Sequence, residues 1–345
     1  MIKSLAIYTI HSHHGSNSGY KQILKYTKPT VTAGLKDTTR KDKFLSYYYK
    51  HEFIGWMRAL LKRIQIVHIL YGEDYFRFSH LLFRRPPIVV TFHQPESILL
   101  QELRDGDYNG KVAGITHRLT KSRFKKVDAV ILTSENQLNV AKQFFDHDKI
   151  HVIPLGIHIN KFNQLLKQSN IKRQLNLFIT VGEWQRDWDL YIKHVSFLNE
   201  HFPELEFIVV NNKLSTDIKE KLLKLSNVTY KGNVSDDELY MLYLKANAMF
   251  LPLKGVAGSN ALNEALALGV MILSNLKLSK DDDVFLNYES LDDLKNVVND
   301  LLILNNAQRL VLAEKVNSSV QSISWESISK RTLDVYESAL KRKNS

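Results

Sequence analysis

Short runs of apolar residues alternate with stretches of helical spacing along the whole chain. In the first half, runs of strand length lie at 5–10, 66–70, 88–92, 129–134 and 150–156. Helical patterns separate them near 19–26, 53–63 and 75–83, in a basic segment that ends before residue 128, and at 134–145. Because these runs are short, do not alternate between apolar and polar residues and are separated by helices, the pattern predicts a parallel sheet that helices cover on both faces.

A second series of the same kind follows a polar stretch at 158–175, which we interpret as a linker. Its apolar runs lie at 177–182, 205–210, 227–232, 248–253 and 270–273, with helical patterns between them and a helical tail from 291 onward. The sequence therefore predicts an α/β protein with two Rossmann-like, doubly wound domains facing a cleft. We place the first domain at 1–165, the second at 166–325 and a C-terminal helix at 326–345.

Length and composition agree with two folded domains. The chain has 345 residues, of which 44% are hydrophobic and 24% are charged, as in ordinary globular proteins. The apolar run at 5–10 follows a single lysine and precedes no small-residue cleavage site, so we expect a first strand, not a signal peptide, and a cytoplasmic protein. Without cysteine, the chain has no disulfide, thiolate nucleophile or zinc–thiolate site.

Positive charge is concentrated in the first half. Residues 1–170 contain 26 Lys and Arg against 13 Asp and Glu, whereas residues 171–345 contain 21 against 23. This asymmetry indicates an anionic partner, and an anionic membrane and nucleic acid both fit, although a solvated helix face is an equally simple explanation. No nucleic-acid-binding motif is present, so we expect contact with a membrane through the densest basic segment, at Lys121, Arg123, Lys125 and Lys126.

The segment 247–275 has the composition of an anion-binding site. An apolar run is followed by a loop with Gly258, and Ser259 or Asn260 can cap the helix that comes next. Backbone amides at the start of a helix favour a phosphate or diphosphate. Glu264 lies one turn further and can accept hydrogen bonds from two ribose hydroxyls, although it can equally stabilise the first turn of a structural helix.

Three further loops follow apolar runs and carry candidate residues. Ligands of doubly wound domains bind where parallel strands end, so these loops are expected at the site. His93 leaves the run at 88–92 before a proline, and serves either as a ligand contact or as a structural hydrogen-bonding group. Arg186 suits a diphosphate but can also pair with Asp187 or Asp189. The remaining candidates are loop residues that can present backbone amides, namely Gly15, Ser18, Gly19 and Gly182.

Taken in order, these motifs resemble those of glycosyltransferases with the GT-B fold, close to the retaining enzymes of family 4. The resemblance covers nearly the whole chain. It comprises the loop that ends SGY at 18–20, TFHQP at 91–95, HVIPLGIHINKF at 151–162, ITVGEWQRDW at 179–188 and SNALNEALALGVMIL at 259–273. Such enzymes use nucleotide-diphosphate sugars, and their last helices cross back onto the first domain, which the segment ISWESISKRTLDVY resembles.

The resemblance implies a role for each candidate residue. Glu264 binds the donor ribose, Gly258, Ser259 and Asn260 bind its diphosphate, Arg186 neutralises that diphosphate as it leaves, and His93 lies near the transferred sugar. Gly15 and Gly19 belong to a loop that closes on the donor. No metal or cofactor is implied, because fixed positive groups stabilise the leaving group.

The implied activity is retaining hexosyl transfer to a glycan or lipid-linked acceptor, in synthesis of cell-surface polysaccharide or glycoconjugate. Two departures from the family pattern stand at Val256, where a second glutamate is usual, and at His158, where an aspartate is usual. They leave open a non-catalytic relative that acts as a partner subunit or binds a glycan. A sugar-nucleotide epimerase shares the same two-domain organisation.

Overall fold

The computed structural model describes residues 2–10, 19–36, 45–77, 79–105, 123–278 and 284–344. It divides into two compact units, one formed by Met1–Gly156 with Ile323–Ser345 and the other by Ile157–Ser322. The boundary expected at 165 falls inside a helix of the second unit. No helix in the described part of the chain is both long enough and apolar enough to span a membrane.

The first unit contains a six-stranded, fully parallel sheet with strand order β2-β1-β3-β4-β5-β6. Its strands are β1 (Ser4–Ile10), β2 (Val31–Lys36), β3 (Ile66–Ile69), β4 (Ile88–Phe92), β5 (Ala129–Leu132) and β6 (Ile150–Val152). Its helices are α1 (Ile23–Thr27), α2 (Leu45–Ala59), α3 (Gly72–Tyr75), α4 (Glu96–Asp105), α5 (Leu138–Ala141) and, from the C-terminal segment, α13 (Trp325–Asn344). Strands β3, β4 and β5 are buried at every residue, as expected for a sheet covered on both faces.

The C-terminal helix α13 packs on the first unit, as the resemblance implied. Trp325 is 1% exposed and lies against Gly156, where an added Cβ would come within 2.4 Å of the indole. Further along α13, the guanidinium of Arg331 donates to the Val152 carbonyl and that of Arg342 to the Asp128 carbonyl. These contacts connect the end of the chain to β5 and β6 of the first sheet.

The second unit contains another fully parallel six-stranded sheet, with strand order β12-β11-β10-β7-β8-β9. Its strands are β7 (Gln174–Val181), β8 (Glu206–Val210), β9 (Val228–Lys231), β10 (Ala246–Leu251), β11 (Met271–Ser274) and β12 (Phe285–Asn287). Its helices are α6 (Ile159–Gln168), α7 (Trp188–His201), α8 (Thr216–Leu223), α9 (Asp236–Lys245), α10 (Asn260–Ala267), α11 (Leu291–Ile303) and α12 (Asn306–Ser319). The predicted pair of doubly wound α/β domains is confirmed.

Three elements were not predicted from the apolar pattern, and one was misread. Strand β2 contains Gly34, where an added Cβ would lie 2.4 Å from the Tyr8 ring, so the aromatic ring of β1 takes the place of a side chain. Helix α4 and strand β12 were also missed. The segment interpreted as a linker forms helix α6, because Ile159 and Phe162 are buried on one face of a segment in which polar residues predominate.

The helical patterns near α2 and α3 also differ in extent from the elements in the structure. The pattern at 53–63 belongs to a helix that ends at Ala59 and continues as a tight turn. The pattern at 75–83 is divided between α3 and a short 3-10 turn at Ser79–Leu81. In both places large apolar side chains point to solvent, so the apolar spacing was not a reliable indication of burial.

Candidate functional site

The second sheet reverses its strand order between β7 and β10, and the loops after these two strands carry the candidate residues. From β7 the chain proceeds outward through β8 and β9, and from β10 it proceeds the other way through β11 and β12. Ligands of such sheets bind outside the carboxyl ends of the strands at this reversal. Gly182 and Arg186 follow β7, and residues 252–259 follow β10, so the predicted residues of this unit meet at one place.

Backbone hydrogen bonds join the two loops. The amide of Asp187 donates to the Pro252 carbonyl at 2.9 Å, and the amide of Lys254 donates to the Gln185 carbonyl at 2.9 Å. An isolated antiparallel bridge pairs Arg186 with Leu253. The loops therefore form one fixed platform at the reversal of strand order.

Gly182 allows β7 to turn into this platform. Its φ is +90°, a conformation that side-chain-bearing residues rarely adopt, and its carbonyl accepts a hydrogen bond from Asn211 Nδ2 at 3.1 Å. A Cβ at this position would lie 3.5 Å from Arg186 Nη2, which is ordinary contact. The backbone conformation, and not lack of space, is what requires glycine.

We expect Gly182→Ala to lower the free energy of unfolding by about 1–2 kcal/mol, because alanine is strained at positive φ. The measurement is urea unfolding followed by fluorescence. Gly232→Ala is the matched control, since an added Cβ there would meet only the Tyr230 hydroxyl, at 4.0 Å. Equal stability of wild type and Gly182→Ala would contradict this assignment.

Arg186 is buried within the platform and donates to its own loop. Its side chain donates from Nε and Nη2 to the Val181 carbonyl, at 3.0 and 2.7 Å, and from Nη1 to the Trp184 carbonyl at 3.2 Å. Burial lowers its pKa from 12.5 to about 10, so it remains charged at neutral pH. A guanidinium has five N–H groups, so two of them donate to no residue in the described part of the chain.

The predicted pairing of Arg186 with Asp187 or Asp189 is absent from the described ion pairs and hydrogen bonds. The Asp187 carboxylate instead caps α7 by accepting from the Leu190 amide at 3.1 Å. Arg186 thus shapes the turn after β7, and three of its five N–H groups are used in doing so. This structural role was not expected from the sequence.

Helix α10 begins as predicted, with Ser259 as its N-cap and Asn260 as its first residue. Ser259 Oγ accepts from the Leu262 amide at 3.3 Å. The loop before it is fixed by Asn275, whose side chain accepts from the Leu253 amide at 2.7 Å and donates to the Leu253 carbonyl at 3.1 Å. Gly258, Ser259 and Asn260 are each partly exposed, so their backbone is open to a ligand.

Glu264 lies one turn inside α10 and is the unusual group of this unit. It is 8% exposed, and its carboxyl has no hydrogen-bond partner among the described residues. Burial, and to a smaller extent Asp236, raises its pKa from 4.5 to about 8 against the opposing effect of Lys161. A buried carboxyl without partners costs stability, and it is ready to accept hydrogen bonds from a ligand.

Two neighbours of Glu264 were missed from the sequence. Tyr243 is fully buried on α9, donates to the Ala261 carbonyl at 3.2 Å and interacts electrostatically with both Glu264 and Arg186. Glu264 and Arg186 are therefore both neighbours of Tyr243. Lys161, whose amine lies 4.6 Å from the centre of the Tyr240 ring, belongs to the segment that we had interpreted as a linker.

In the first unit, His93 follows β4 at the carboxyl edge of the sheet. Its ring stacks on Tyr71 with centroids 4.6 Å apart and meets the edge of the Tyr20 ring at 4.8 Å. Its Nε2 donates to the Leu70 carbonyl at 2.8 Å. Gly19, with φ of +90°, caps the 3-10 turn that begins at Tyr20 and so lies next to this cluster.

A second histidine, which the sequence did not indicate, supports the cluster. His68 lies 2.7 Å from the Tyr336 hydroxyl of α13 through Nδ1, and 2.8 Å from Thr91 Oγ1 through Nε2. The Tyr20 hydroxyl is 3.3 Å from the same Thr91 oxygen. Burial lowers the pKa of His68 to about 3, so it is neutral and links α13 to β4 as a structural group.

Three predicted residues lie outside the described part of the chain, and one residue predicted to contact a membrane is buried. Gly15, Ser18 and Lys121 lie outside the described residues. Arg123 is fully buried, forms an ion pair with Glu102 and lies over the Phe124 ring at 4.4 Å, so it cannot contact a membrane. We expected a basic helix here, but its described part, Arg123–Lys126, is a 3-10 turn. This turn buries Arg123 and Phe124.

No group of three or more His, Cys, Asp or Glu side chains that could hold a metal ion occurs among the described residues. The chemical resources of the two carboxyl edges are therefore a buried carboxyl, a guanidinium and helix amides in the second unit, and an imidazole among aromatic rings in the first. The guanidinium and helix amides of the second unit suit recognition of a phosphate group.

Comparison with known proteins finds a family match over part of the chain and a common fold. Residues 31–161 match the family model for Glycosyltransferase Family 4. No curated protein sequence matches the chain significantly. Solved structures match it over almost its whole length, although sequence identity is low.

Three of these structures are representative. WaaG, a glycosyltransferase involved in lipopolysaccharide biosynthesis, is 15% identical with a TM-score of 0.64, covering 96% of this chain and 99% of WaaG. Sucrose-phosphate synthase from Thermosynechococcus elongatus is 15% identical with a TM-score of 0.68, covering 99% and 100%. Anabaena HepE, in complex with UDP and glucose, is 14% identical with a TM-score of 0.65, covering 97% and 100%. The GT-B fold expected from the resemblance is confirmed.

Proposed function

Because the family match and the fold support a glycosyltransferase of the GT-B type, we propose that this protein transfers a sugar from a nucleotide diphosphate to a glycan or lipid-linked acceptor. The observation that carries the proposal is Glu264, a buried carboxyl without hydrogen-bond partners in the described chain, at the reversal of strand order. A ribose supplies two adjacent hydroxyls, which are the donors that such a carboxyl lacks.

The proposed diphosphate site consists of the backbone at Gly258, Ser259 and Asn260 together with Arg186. The helix amides carry partial positive charge, and the two remaining N–H groups of Arg186 add a full charge. Negative charge develops on the diphosphate when its bond to the sugar breaks, and stabilising that charge is the largest contribution we expect from the protein. The glucose and UDP bound to HepE support this kind of donor.

We propose that the reaction retains the configuration of the sugar. The bond from the anomeric carbon to the diphosphate oxygen breaks, the acceptor oxygen bonds to the same face, and its proton passes to the departing diphosphate. This step needs no carboxylate pair of the kind used in glycoside hydrolysis. His93 is proposed to contact the transferred hexose, in synthesis of cell-surface polysaccharide or glycoconjugate.

Two observations favour a second candidate, a non-catalytic relative that binds a partner or a glycan. Three N–H groups of Arg186 are already used by backbone carbonyls, and Val256 stands where the family has a second glutamate. Few positive and acidic side-chain groups are therefore available to bind a donor sugar. Such a protein would bind nucleotide without turning it over.

The test is a thermal-shift screen of the full chain against nucleotide-diphosphate sugars, followed by a transfer and hydrolysis assay with each ligand that binds. We expect at least one donor to raise the melting temperature, because a ligand that binds only the native state stabilises it. Glu264→Gln should abolish the shift, whereas Glu220→Gln, an exposed glutamate on α8, should leave it unchanged. Binding without transfer or hydrolysis would favour the second candidate, and no binding by any donor would reject both nucleotide-dependent readings.

A further inference from the structure

The amino edge of the first sheet, opposite to His93, carries an exposed surface that the proposed function does not use. Strands β3, β4 and β5 are neighbours in this sheet, so the connections that enter them lie side by side. We define the amino-edge surface as residues 60–63, 81–84 and 125–126 of these connections, together with the outer face of α2 at Phe53, Met57 and Arg58.

Hydrogen bonds hold these pieces together. Arg85 donates to the Asp128 carboxylate at 2.6 Å and to the Lys126 carbonyl, which fixes the connection before β4 to the connection before β5. The indole of Trp56 on α2 donates to Ser79 Oγ at 2.7 Å. The surface therefore belongs to one rigid part of the first unit.

Helix α2 exposes large apolar side chains, which an ordinary surface helix buries. Its inner face contains the buried residues Gly55 and Ala59, and a Cβ on Gly55 would lie 3.1 Å from the Ala33 Cβ of β2. Large apolar side chains instead occupy the outer face at helical spacing and continue into the next connections. The exposed fractions are 56% for Phe53, 53% for Met57, 73% for Leu60, 90% for Leu61, 51% for Leu81 and 88% for Phe83.

Cations surround these apolar side chains. The exposed basic residues of the surface are Arg58, Lys62, Arg63, Arg84, Lys125 and Lys126. The Arg84 guanidinium lies over the Phe83 ring at 5.2 Å from its centre. Asp128 is the acidic residue of the described connections into β3, β4 and β5, and Arg85 neutralises it. The surface thus combines apolar groups that water disfavours with uncompensated positive charge.

We propose that the amino-edge surface binds a bilayer of anionic phospholipids. Apolar side chains at the crest of the surface can enter the headgroup region, and cations around them can meet lipid phosphates. A second copy of the chain fits poorly, because a two-fold contact would bring the same cations face to face. A patch of apolar residues that protrude individually also suits a fluid lipid interface better than a flat protein contact.

This proposal replaces the membrane contact expected from the basic segment at 121–126. Lys125 and Lys126 remain part of it, and Arg123 is removed from it because it is buried. The contribution of the apolar side chains was not foreseen, because their helical spacing was taken as a sign of burial. The proposal is independent of donor binding and can be tested without activity.

The experiment is sedimentation of the full chain with vesicles of phosphatidylcholine alone or with 30 mol% phosphatidylglycerol, an anionic fraction of about a third as in a moderately charged membrane. We expect binding to the anionic vesicles and little to the neutral ones. The double variant Leu61→Ser, Phe83→Ser should weaken binding by at least about tenfold, because each buried apolar side chain contributes substantially. The triple variant Lys62→Ser, Arg63→Ser, Arg84→Ser should weaken it on the order of a hundredfold, because each surface cation contributes about fivefold.

Matched controls lie in the second unit. Ile303→Ser, Leu310→Ser removes side chains that are 70% and 65% exposed, and Lys224→Ser, Lys245→Ser removes exposed cations, so both should bind vesicles like wild type. Circular dichroism confirms that each variant is folded. Equal sedimentation with both kinds of vesicle, or unchanged binding by the first-unit variants, would overturn the proposal. So would a dimer of the wild type, without lipid, that Leu61→Ser, Phe83→Ser dissociates.

Discussion

Replacing Glu264 by alanine should weaken binding of the donor nucleotide on the order of 10²–10⁴-fold while the protein remains folded. In the proposed function the ionised carboxyl accepts hydrogen bonds from two ribose hydroxyls, and a hydrogen bond to a charged acceptor contributes about 1.5–3 kcal/mol, so we expect this loss above the pKa of about 8, where the carboxyl is ionised. Isothermal titration calorimetry of wild type and Glu264→Ala with the nucleotide identified by thermal shift measures this loss directly. Binding within threefold of wild type would remove Glu264 from the site.

Replacing Glu264 by glutamine should instead stabilise the protein without ligand. The pKa of Glu264 is raised from 4.5 to about 8 in the folded state, so the folded protein holds this proton more tightly than the unfolded chain. Its contribution to stability is therefore lost as the pH rises from about 4.5 through about 8. We expect Glu264→Gln to be more stable than wild type at pH 8, with the difference shrinking at pH 5, as measured by urea unfolding.

These two results distinguish a ligand-binding carboxyl from a structural one. A carboxylate that merely stabilised the first turn of α10 would lower stability when removed, and its loss would affect nucleotide binding only through the fold. Removing a carboxyl whose role is to bind a ligand should raise stability and should weaken nucleotide binding directly. Asp293→Asn provides a control of the first kind, since this partly exposed acid in the first turn of α11 accepts from the Glu289 amide.

The repeated alternation of apolar runs and helical spacing was enough to predict two parallel sheets. Runs such as 88–92 are buried at every residue, so composition and burial agree there. The prediction missed β2, because this strand has a glycine, Gly34, where an apolar side chain would indicate a strand. The Tyr8 ring covers Gly34 instead. The prediction failed again at α6, where Ile159 and Phe162 are buried but Leu165 and Leu166 are only partly buried among polar residues.

The candidate site shows the same limit. The glycine loop and Ser259 cap could be predicted, because local capping geometry depends on adjacent residues. The neighbourhood of Glu264 could not, since Tyr243 and Lys161 come from helices far along the chain and meet it only through packing. Arg123 and Phe83 show the converse, since a charge is buried and an aromatic ring is exposed, against the tendency of each residue type.

Replacing Arg186 by alanine should lower the free energy of unfolding by about 2–6 kcal/mol, because the buried carbonyl of Val181 and the partly buried carbonyl of Trp184 lose their charged donor. The turn after β7 depends on these bonds, and with it the pairing of this loop to the loop after β10. Urea unfolding measures the loss. Arg186→Lys should recover little of it, because a single ammonium cannot reach both carbonyls in the same planar arrangement.

Arg173 offers a matched comparison, since it also donates from a buried guanidinium to backbone carbonyls, those of Tyr243, Ala246 and Leu268. It precedes β7, at the opposite edge of the second sheet from the candidate site. We expect Arg173→Ala to lose comparable stability and to bind nucleotide diphosphate normally at a temperature where it is folded. Arg186→Ala should in addition lose affinity for the nucleotide diphosphate, and this loss should exceed its loss of affinity for the nucleoside by at least tenfold. The reason is that only the diphosphate meets the two remaining N–H groups of Arg186. If both variants bind the diphosphate equally well when folded, Arg186 acts only on the loop, and the helix amides alone provide the positive charge of the site.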